Sequence, residues 1–312
     1  MAKFFELVPD NTNIKFIDKF PIFVAFSVIA IIATGIGVAT KGLNYGVDFT
    51  GGTVVQVKFP AAKKAEDVRK LVGDSGEPDA SVVALGAAGD EFMITSRTPV
   101  EKGQVGALAR NMTAKEPSMQ ILSQDVVGPK VGAELKAAAL RSLLYTVLLI
   151  TIYIWFRFDF KFAPGATVAM IHDLTMMVGF YLVTGHEFSI TAVAALLTIA
   201  GYSVNDTIVI YDRVREMVGL GSKGDLSETI NRALNLTLSR TILTALLTFM
   251  SIIPLIIFGT GEIRDFAIAM AFGIAVGVYS TIYIASPMTI YIERWMAKRE
   301  KNSVGRPKTV SA

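Results

Sequence analysis

Ionisable side chains inside long apolar runs are the residues of this chain best suited to chemistry. Asp206 and Arg240 lie near the ends of two such runs, and the adjacent pair His172 and Asp173 lies near the middle of a third. A charge at membrane depth costs about 2.5–3.5 kcal/mol, so such groups usually face protein or water and usually have a function. An apolar surrounding favours a neutral carboxyl, whereas a guanidinium favours a carboxylate. Asp206 with Arg240 is therefore a candidate for binding and releasing protons.

The helices that carry these two residues have polar faces. Asn205 precedes Asp206, and at 100° per residue four further residues fall on the face of Asp206: Ala195, Ile199, Tyr202 and Ser203. Hydroxyl residues recur every three or four positions on the side of Arg240: Thr237, Thr241, Thr244, Thr248 and Ser251. We interpret Thr244 and Thr248 as members of a hydrogen-bonded chain that assists the relay. The alternative is that these hydroxyls bond to carbonyls of their own helix.

Each of these groups also has a purely structural interpretation. Asp206 and Arg240 could form a static salt bridge that holds two helices together. His172 and Asp173 could be a second station of the relay, or could bond to a neighbouring helix and never titrate. The sequence leaves both questions open. Arg141, close to the predicted end of a span, is expected to extend to the membrane surface in a structural role.

Composition places these residues in a membrane protein. Of the 312 residues, 52% are hydrophobic and only 18% are charged, whereas soluble domains have about 25% charged residues. The absence of cysteine excludes thiolate chemistry, disulfides and iron–sulfur clusters. A net charge of +3 gives no reason to expect nucleic acid. Two histidines and no nucleophile–base pair predict no metal, no cofactor and no enzyme activity.

Six apolar runs are long enough to span a bilayer. They cover residues 20–39, 137–156, 163–184, 188–210, 241–258 and 266–290, and residues 41–136 form a long polar excursion. The tails and short loops on one side carry fifteen lysines and arginines, whereas the short loops on the other side carry only Arg264. By the positive-inside rule, both termini are cytoplasmic and residues 41–136 are periplasmic.

The excursion has the pattern of one small domain. Its predicted order is strand 53–59, helix 62–72, strands 81–85 and 91–96 around a turn at 86–90, helix 100–115 and strand 119–127. This β-α-β-β-α-β order is typical of a ferredoxin-like fold. We therefore divide the chain into residues 1–40 (tail and first span), 41–136 (external domain), 137–292 (spans 2–6) and 293–312 (basic tail). No catalytic constellation occurs in residues 41–136, so we expect a binding or coupling module.

Four sequence motifs resemble those of one known family. The sequence GVDFTGG at residues 46–52 follows the first span and precedes a strand, and GYSVNDTIVIYDR at residues 201–213 ends the fourth. Together with NRALNLTLSRTILT at residues 231–244 and VGPKVG at residues 127–132, they resemble the SecD/SecF family of protein-export membrane proteins, and most closely its shorter SecF branch. The glycine-rich motif contributes Gly46, Asp48, Phe49, Gly51 and Gly52.

The resemblance implies a fold and a function. The fold would be an all-α membrane bundle of six helices, half of a pseudo-two-fold twelve-helix unit of the resistance-nodulation-division (RND) type, with a small α+β ferredoxin-like periplasmic domain. The function would be to use the proton-motive force, with a SecD-like subunit, to promote protein export across the cell inner membrane. Other implied partners are the SecYEG channel, YajC- or YidC-type accessory proteins, the unfolded secreted polypeptide and protons. The family's relay residues map onto Asp206 and Arg240.

Two other functions remain open. The chain could be half of an RND-type exporter of small amphiphiles, although such exporters have larger external domains. It could also be a passive scaffold of the Sec channel. A ladder of small residues in the last span, Ala269, Gly273 and Gly277, predicts close helix packing, either within the chain or against a second polypeptide.

Overall fold

The computed structural model describes residue 9 and residues 12–85, 88–97, 107–158, 160–220 and 225–304. Its helices and strands follow in chain order: α1 (Phe16–Thr40), α2 (Val47–Thr50), β1 (Gly52–Lys58), α3 (Ala65–Asp74), β2 (Ser81–Leu85), β3 (Glu91–Ser96), α4 (Ala107–Lys115), β4 (Gln120–Val127), α5 (Pro129–Arg157), α6 (Ala163–Thr184), α7 (Ile190–Gly219), α8 (Leu226–Phe258), α9 (Gly261–Ser280) and α10 (Ser286–Val304). A π-helical turn, Thr281–Ala285, joins α9 to α10.

Six helical segments in the described ranges are long and apolar enough to span a membrane, which confirms the predicted number of spans. They are α1, α5, α6, α7, α8 and the continuous segment Gly261–Arg299. The apolar stretches of α7 and of the last segment are more than half buried, whereas those of α1, α5 and α8 are mostly not buried. The inner helices of the bundle therefore carry its core, and the three exposed helices present apolar surface to their surroundings.

Several helices extend beyond the apolar runs that predicted them. Helix α5 begins at Pro129, eight residues before the expected start of the second span, and α8 begins at Leu226, fifteen residues before the fifth. Gly128 is extended and Pro129 is the first helical residue of α5, a position where the missing N–H of proline costs nothing. Hydropathy marks only the part of a helix that is apolar, so the predicted boundary at residue 136 falls inside α5.

The four strands form one antiparallel sheet in the order β2-β3-β1-β4. With α3 and α4 in the two crossovers, this is the ferredoxin-like arrangement that the sequence predicts. Its core is made of fully buried apolar residues: Val55, Val57, Val68, Val72, Phe92, Ile94 and Met112. Part of the predicted turn at 86–90 and the first seven residues of the predicted helix 100–115 lie outside the described residues. The sheet attaches to one end of the bundle, which we call the sheet end.

Candidate functional site

Asp206 lies on the buried side of α7. Its side chain is 5% exposed, and the flanking Thr207 and Ser203 are also buried. Helix α7 packs against α6, α8 and α9. The face that carries Ala195, Ile199, Ser203 and Asp206 is therefore covered by other helices, as the sequence predicts for this face. Asp206 makes no hydrogen bond and no ion pair with a described residue. The structure thus places a carboxyl among helices without fixing it to a partner.

Arg240 lies on α8, and its charge acts on Asp206. The two side chains do not approach within the 4.0 Å that defines an ion pair, so the static salt bridge is not formed in this structure. Arg240 and Asn205 are both exposed on the bundle surface. The structure therefore brings Asp206, Asn205 and Arg240 into one region, with the carboxyl inside and the guanidinium and amide outside.

The hydroxyl row of α8 is bonded to its own helix. Thr244 donates to the carbonyl of Arg240 at 3.0 Å, and Thr248 donates to that of Thr244 at 2.9 Å. Thr237 and Ser251 make similar bonds. This is the geometry of the structural interpretation, although a rotation about the Cα–Cβ bond would release each hydroxyl. The roles of Thr244 and Thr248 in a relay stay predictions.

His172 and Asp173 are buried and bonded to each other. Nδ1 of His172 lies 2.9 Å from Oδ1 of Asp173, and the two side chains are 2% and 0% exposed. Both also bond to neighbouring helices, through Ser27 of α1, Ser203 of α7 and Ser280 of α9. The structure places this pair beside α7 but does not connect it to Arg240.

The small-residue ladder of α9 faces α7 of the same chain. A Cβ added at Gly273 would lie 2.5 Å from Cγ1 of Ile199, and one at Gly277 would lie 3.0 Å from Cβ of Ser203. Ala269 is fully buried on the same face. The two helices approach closely because glycine lacks a side chain, and this approach brings α9 against the residues that precede Asp206.

The glycine-rich motif joins the external domain to the membrane bundle. The carboxylate of Asp48 accepts a hydrogen bond from the backbone N–H of Ile190, the first residue of α7, at 3.0 Å. The N–H of Gly46 donates to the carbonyl of Phe188 at 3.1 Å, and Phe49 is buried 6.1 Å from the ring of Phe188. The motif therefore contacts the start of the helix that carries Asp206.

Gly51 and Gly52 have positive φ angles of 77° and 146°, where other residues are strained. A Cβ at Gly52 would lie 2.2 Å from the carbonyl oxygen of Ser96, and one at Gly51 would lie 3.1 Å from Pro129. The motif needs glycine at both positions because the turn from α2 into β1 packs against the backbone of Ser96, the last residue of β3, and of Pro129, the first residue of α5.

Three features of the bundle were not predicted from the sequence. Arg97, at the end of β3, donates to Oδ1 of Asn44 at 2.5 Å and forms an ion pair with Glu187 at 3.7 Å. The hydroxyl of Tyr202, one turn before Asp206, is buried without a partner among the described residues. Asn231 accepts hydrogen bonds from the first N–H groups of α1. The NRALNLTLSRT motif contains Asn231, but no local pattern indicates its distant partner.

Glu187 lies in the loop between α6 and α7, at the edge of a cavity of about 600 Å³ between the sheet and the bundle. Burial raises the pKa of this carboxyl, Arg97 opposes the shift, and the acidic groups Glu262, Asp265 and Asp48 add to it. This junction combines an ion pair with excess negative charge. No three His, Asp or Glu side chains in the described part of the chain come together as metal ligands.

The fold and these sites define a multi-pass membrane protein of the RND type with a small external domain. The family described as "Protein export membrane protein SecD/SecF, C-terminal" matches residues 107–295, and "SecD/SecF GG Motif" matches residues 36–59. The chain therefore belongs to the SecD/SecF family of protein-export membrane proteins, as the motifs indicated.

Similar proteins cover nearly the whole chain. It is 38% identical over 310 residues to the protein translocase subunit SecF of Calditerrivibrio nitroreducens, covering 96% of this chain and 100% of that one. It is 39% identical to the SecF of Thermodesulfovibrio yellowstonii, covering 90% and 95%. The crystal structure of SecDF from Thermus thermophilus, described as a translocon-associated membrane protein, matches with a TM-score of 0.80 at 34% identity. That match covers 91% of this chain but 39% of the SecDF chain.

Proposed function

We propose that this chain is a proton-driven accessory subunit of the Sec protein translocase, acting with a SecD-like subunit in the cell inner membrane. Its relatives are named translocase subunits, which supports a role in transport rather than catalysis. The chain spans about two fifths of the SecDF chain to which it is similar. We infer that a separate SecD-like chain supplies the rest of that unit.

The observation that carries the proton proposal is the state of Asp206. This carboxyl is buried on α7 and has no hydrogen-bonding partner among the described residues, and its charged neighbour Arg240 does not form a close ion pair with it. A carboxyl fixed by several bonds would keep one protonation state, whereas Asp206 can gain or lose a proton when α7 and α8 shift. One charge crossing the membrane potential releases about 2.3 kcal/mol per 100 mV, which is enough to bias a conformational equilibrium of a few kcal/mol.

The surface beside Asp206 fits a second helical bundle. The outward stripe of α7 consists of small and polar residues at helical spacing: Ala194, Thr198, Gly201 and Asn205. Arg240 is exposed on the adjacent α8. Lipid chains offer no hydrogen bonds to Asn205 or Arg240, whereas small residues allow another helix to approach closely. We propose that the SecD-like subunit covers this stripe and completes the proton path.

We also propose the orientation given by the charge distribution. Both termini face the cytoplasm, and the sheet domain faces the periplasm, where it meets the secreted chain or the external domain of the partner. SecYEG and YajC- or YidC-type proteins are further proposed partners. Because the chain has no cysteine, Ser118→Cys and Ser303→Cys give single labels for a membrane-impermeant thiol reagent on intact spheroplasts. Labelling at position 303 but not at position 118 would overturn this orientation.

Asp206→Asn tests the proton role. The variant keeps the shape of the side chain but cannot titrate, so we expect normal assembly with the SecD-like subunit and loss of the gradient-dependent part of protein export. Asp206→Glu still titrates and should keep part of it. The measurement is export into vesicles with and without a proton gradient, together with the amount of assembled complex.

The rival functions give different results in the same experiment. A scaffold with a static Asp206–Arg240 clamp predicts reduced assembly of the Asn variant, because Arg240 is left without its counter-charge. Full gradient-dependent export by a well-assembled Asn variant would exclude the relay. A half-exporter of small amphiphiles predicts a self-sufficient homo-oligomer, which mild-detergent purification from native membranes would show as the absence of a SecD-like partner.

A further inference from the structure

A closed hydrogen-bond network surrounds His172 and Asp173 in the core of the bundle. Oδ2 of Asp173 accepts hydrogen bonds from Ser203 of α7 at 2.5 Å and from Ser280 of α9 at 2.8 Å. Nε2 of His172 lies 3.0 Å from Oγ of Ser27 on α1. The pair thus ties α6 to three other helices, and every polar atom of its two side chains has a partner.

The direction of these bonds determines where the protons are. Tyr279 donates its hydroxyl proton to the carbonyl of Phe23 at 2.6 Å, so its oxygen, 2.8 Å from Ser27, must accept the proton of that serine. Oγ of Ser27 is then the acceptor for Nε2 of His172, which therefore carries a hydrogen. The 2.9 Å contact between Nδ1 and Oδ1 holds one further proton. Whichever atom binds that proton, the pair as a whole is neutral.

Two hydrogen bonds hold α7 on either side of Asp206. Ser203 precedes Asp206 by three residues and bonds to Asp173. Thr207 follows Asp206 directly, and its hydroxyl lies 3.1 Å from that of Thr281 at the start of the π-helical turn. The side chain of Asp206 itself has no hydrogen bond within the described part of the chain, so its direction depends on the rotation of α7. The ties at Ser203 and Thr207 set that rotation.

We propose that His172 and Asp173 are positioning residues: a neutral joint that shares one proton, fixes the rotation of α7 and so presents Asp206 to Arg240. This deepens the proposed function and rests on Asp206 as the group that binds the transported proton. The ionisable groups on the packed helices include His172 and Asp173 of α6, Tyr202, Asp206 and Tyr211 of α7, Arg240 of α8, Tyr279 of α9 and Tyr283 of the π-helical turn. The joint holds its proton permanently, whereas Asp206 exchanges its own.

The Asp173→Asn variant distinguishes a positioning role of Asp173 from a role in proton transfer. The asparagine amide can donate N–H to Nδ1 of His172, and its carbonyl can accept from Ser203 and Ser280, so every bond of the network is kept while the titratable proton is removed. We expect gradient-dependent export within about twofold of the unmodified chain, because no buried polar group loses its partner. Asp173→Leu has no such groups and should lose both assembly and export.

Ser203→Ala tests the link to Asp206. It removes one tie on α7 and leaves the other bonds of Asp173 intact, so we expect normal assembly but a shifted pH midpoint of export. Thr175→Ala is the matched control, because its hydroxyl bonds to the carbonyl of Ile171 in its own helix, and it should leave the midpoint unchanged. A midpoint that Ser203→Ala does not move would contradict a positioning role.

Asp206→Asn is measured in the same vesicles to keep the two proposals apart. If Asp206→Asn retains gradient-dependent export, the proposed function fails. If Asp206→Asn loses it and a well-assembled Asp173→Asn variant also loses it, Asp173 is a relay station and the joint is wrong. Failure of Asp173→Asn to assemble would also overturn the joint, since asparagine would then not replace the carboxyl.

Discussion

Gly52 occupies a backbone conformation and a space that exclude other residues. Its φ of 146° is strained for a residue with a side chain, and an added Cβ would lie 2.2 Å from the carbonyl oxygen of Ser96. The nearby Gly128 has an ordinary φ of −71° and nothing within 4 Å of an added Cβ. These two glycines, which lie where the external domain meets the bundle, therefore have different structural roles.

Gly52→Ala is expected to destabilise the docked external domain by about 1–3 kcal/mol, the usual cost of such backbone strain. Gly128→Ala should be close to neutral. Thermal unfolding in detergent, followed by the loss of the monodisperse peak in size-exclusion chromatography, compares the two variants. Equal midpoints for both would mean that the motif does not need glycine at position 52 for packing.

Single residues differ in how far the sequence reveals their role. Asp206 and Arg240 could be singled out because a charge in an apolar run is conspicuous, and the cytoplasmic loop that joins their two helices allowed them to be neighbours. Their role in a relay stays a prediction. Ser27, Ser203 and Ser280 could not be assigned to Asp173, because serine is common in membrane helices and their partners lie up to 145 residues away. A hydroxyl becomes significant only when the packing of the helices is known.

At the level of elements, α8 holds the beginning of α1 through two asparagines. Oδ1 of Asn231 accepts from the N–H of Phe16 at 2.9 Å, and Oδ1 of Asn235 accepts from that of Ile14 at 2.7 Å. Both side-chain amides donate back to the carbonyl of Ile14. Helix α1 has no side-chain cap of its own, so Asn231 supplies the cap from another helix.

Asn231→Ala should loosen the start of α1. Loss of a cap costs about 1 kcal/mol, so amide hydrogen exchange in residues 14–18 should be about fivefold faster. Leu236→Ala, on an exposed position of the same helix, is the control and should leave this segment unchanged. Exchange measured by mass spectrometry on the complete chain in detergent makes the comparison. Equal protection in both variants would show that Asn231 is not the cap.

The sequence predicts elements well where one physical signal dominates. The six apolar runs gave six spans, and the β-rich segments of residues 41–136 gave the strands of the ferredoxin-like sheet. Helix ends were predicted poorly, because α5 and α8 continue through polar residues outside the apolar runs. The π-helical turn at Thr281–Ala285 was not predicted, since it lies inside the last apolar run and hydropathy does not distinguish a π-helix from an α-helix.

At the scale of the whole molecule, the external domain is connected to the bundle by the motif at residues 46–52 and by Arg97. Asp48 contacts the start of α7, and Arg97 contacts Asn44 and Glu187. The same helix α7 carries Asp206 in its interior. A rotation or shift of α7 upon proton binding would therefore act directly on the Asp48 contact, and through the loop before α7 on the ion pair of Arg97 with Glu187.

The charge of Glu187 makes this junction sensitive to pH. Burial raises the pKa of its carboxyl, and Glu262, Asp265 and Asp48 reinforce the effect against the opposing charge of Arg97. Glu262 and Asp265 belong to α9 and act in both arrangements, so docking changes the pKa through burial and Asp48, which raise it, and through Arg97, which lowers it. Burial is the largest of these influences, so we expect the docked arrangement to bind a proton at Glu187 more tightly than the separated one. The resulting stabilisation of docking is complete below the ordinary pKa of 4.5 and is lost as the pH rises through the raised value.

We expect docking of the external domain to tighten as the pH falls through the raised pKa of Glu187 towards its ordinary value of 4.5, because a group with a raised pKa takes up its proton in this direction. Spin labels at Ser118→Cys in the external domain and Val183→Cys at the sheet end of α6 report the distance between the two parts, and the chain has no other cysteine. Glu187→Gln should give the low-pH distance distribution at every pH. Glu66→Gln, which removes an exposed acid on α3, should respond to pH like the unmodified chain. If Glu187→Gln instead separates the domain at every pH, the ion pair with Arg97 dominates the junction and burial of the carboxyl does not.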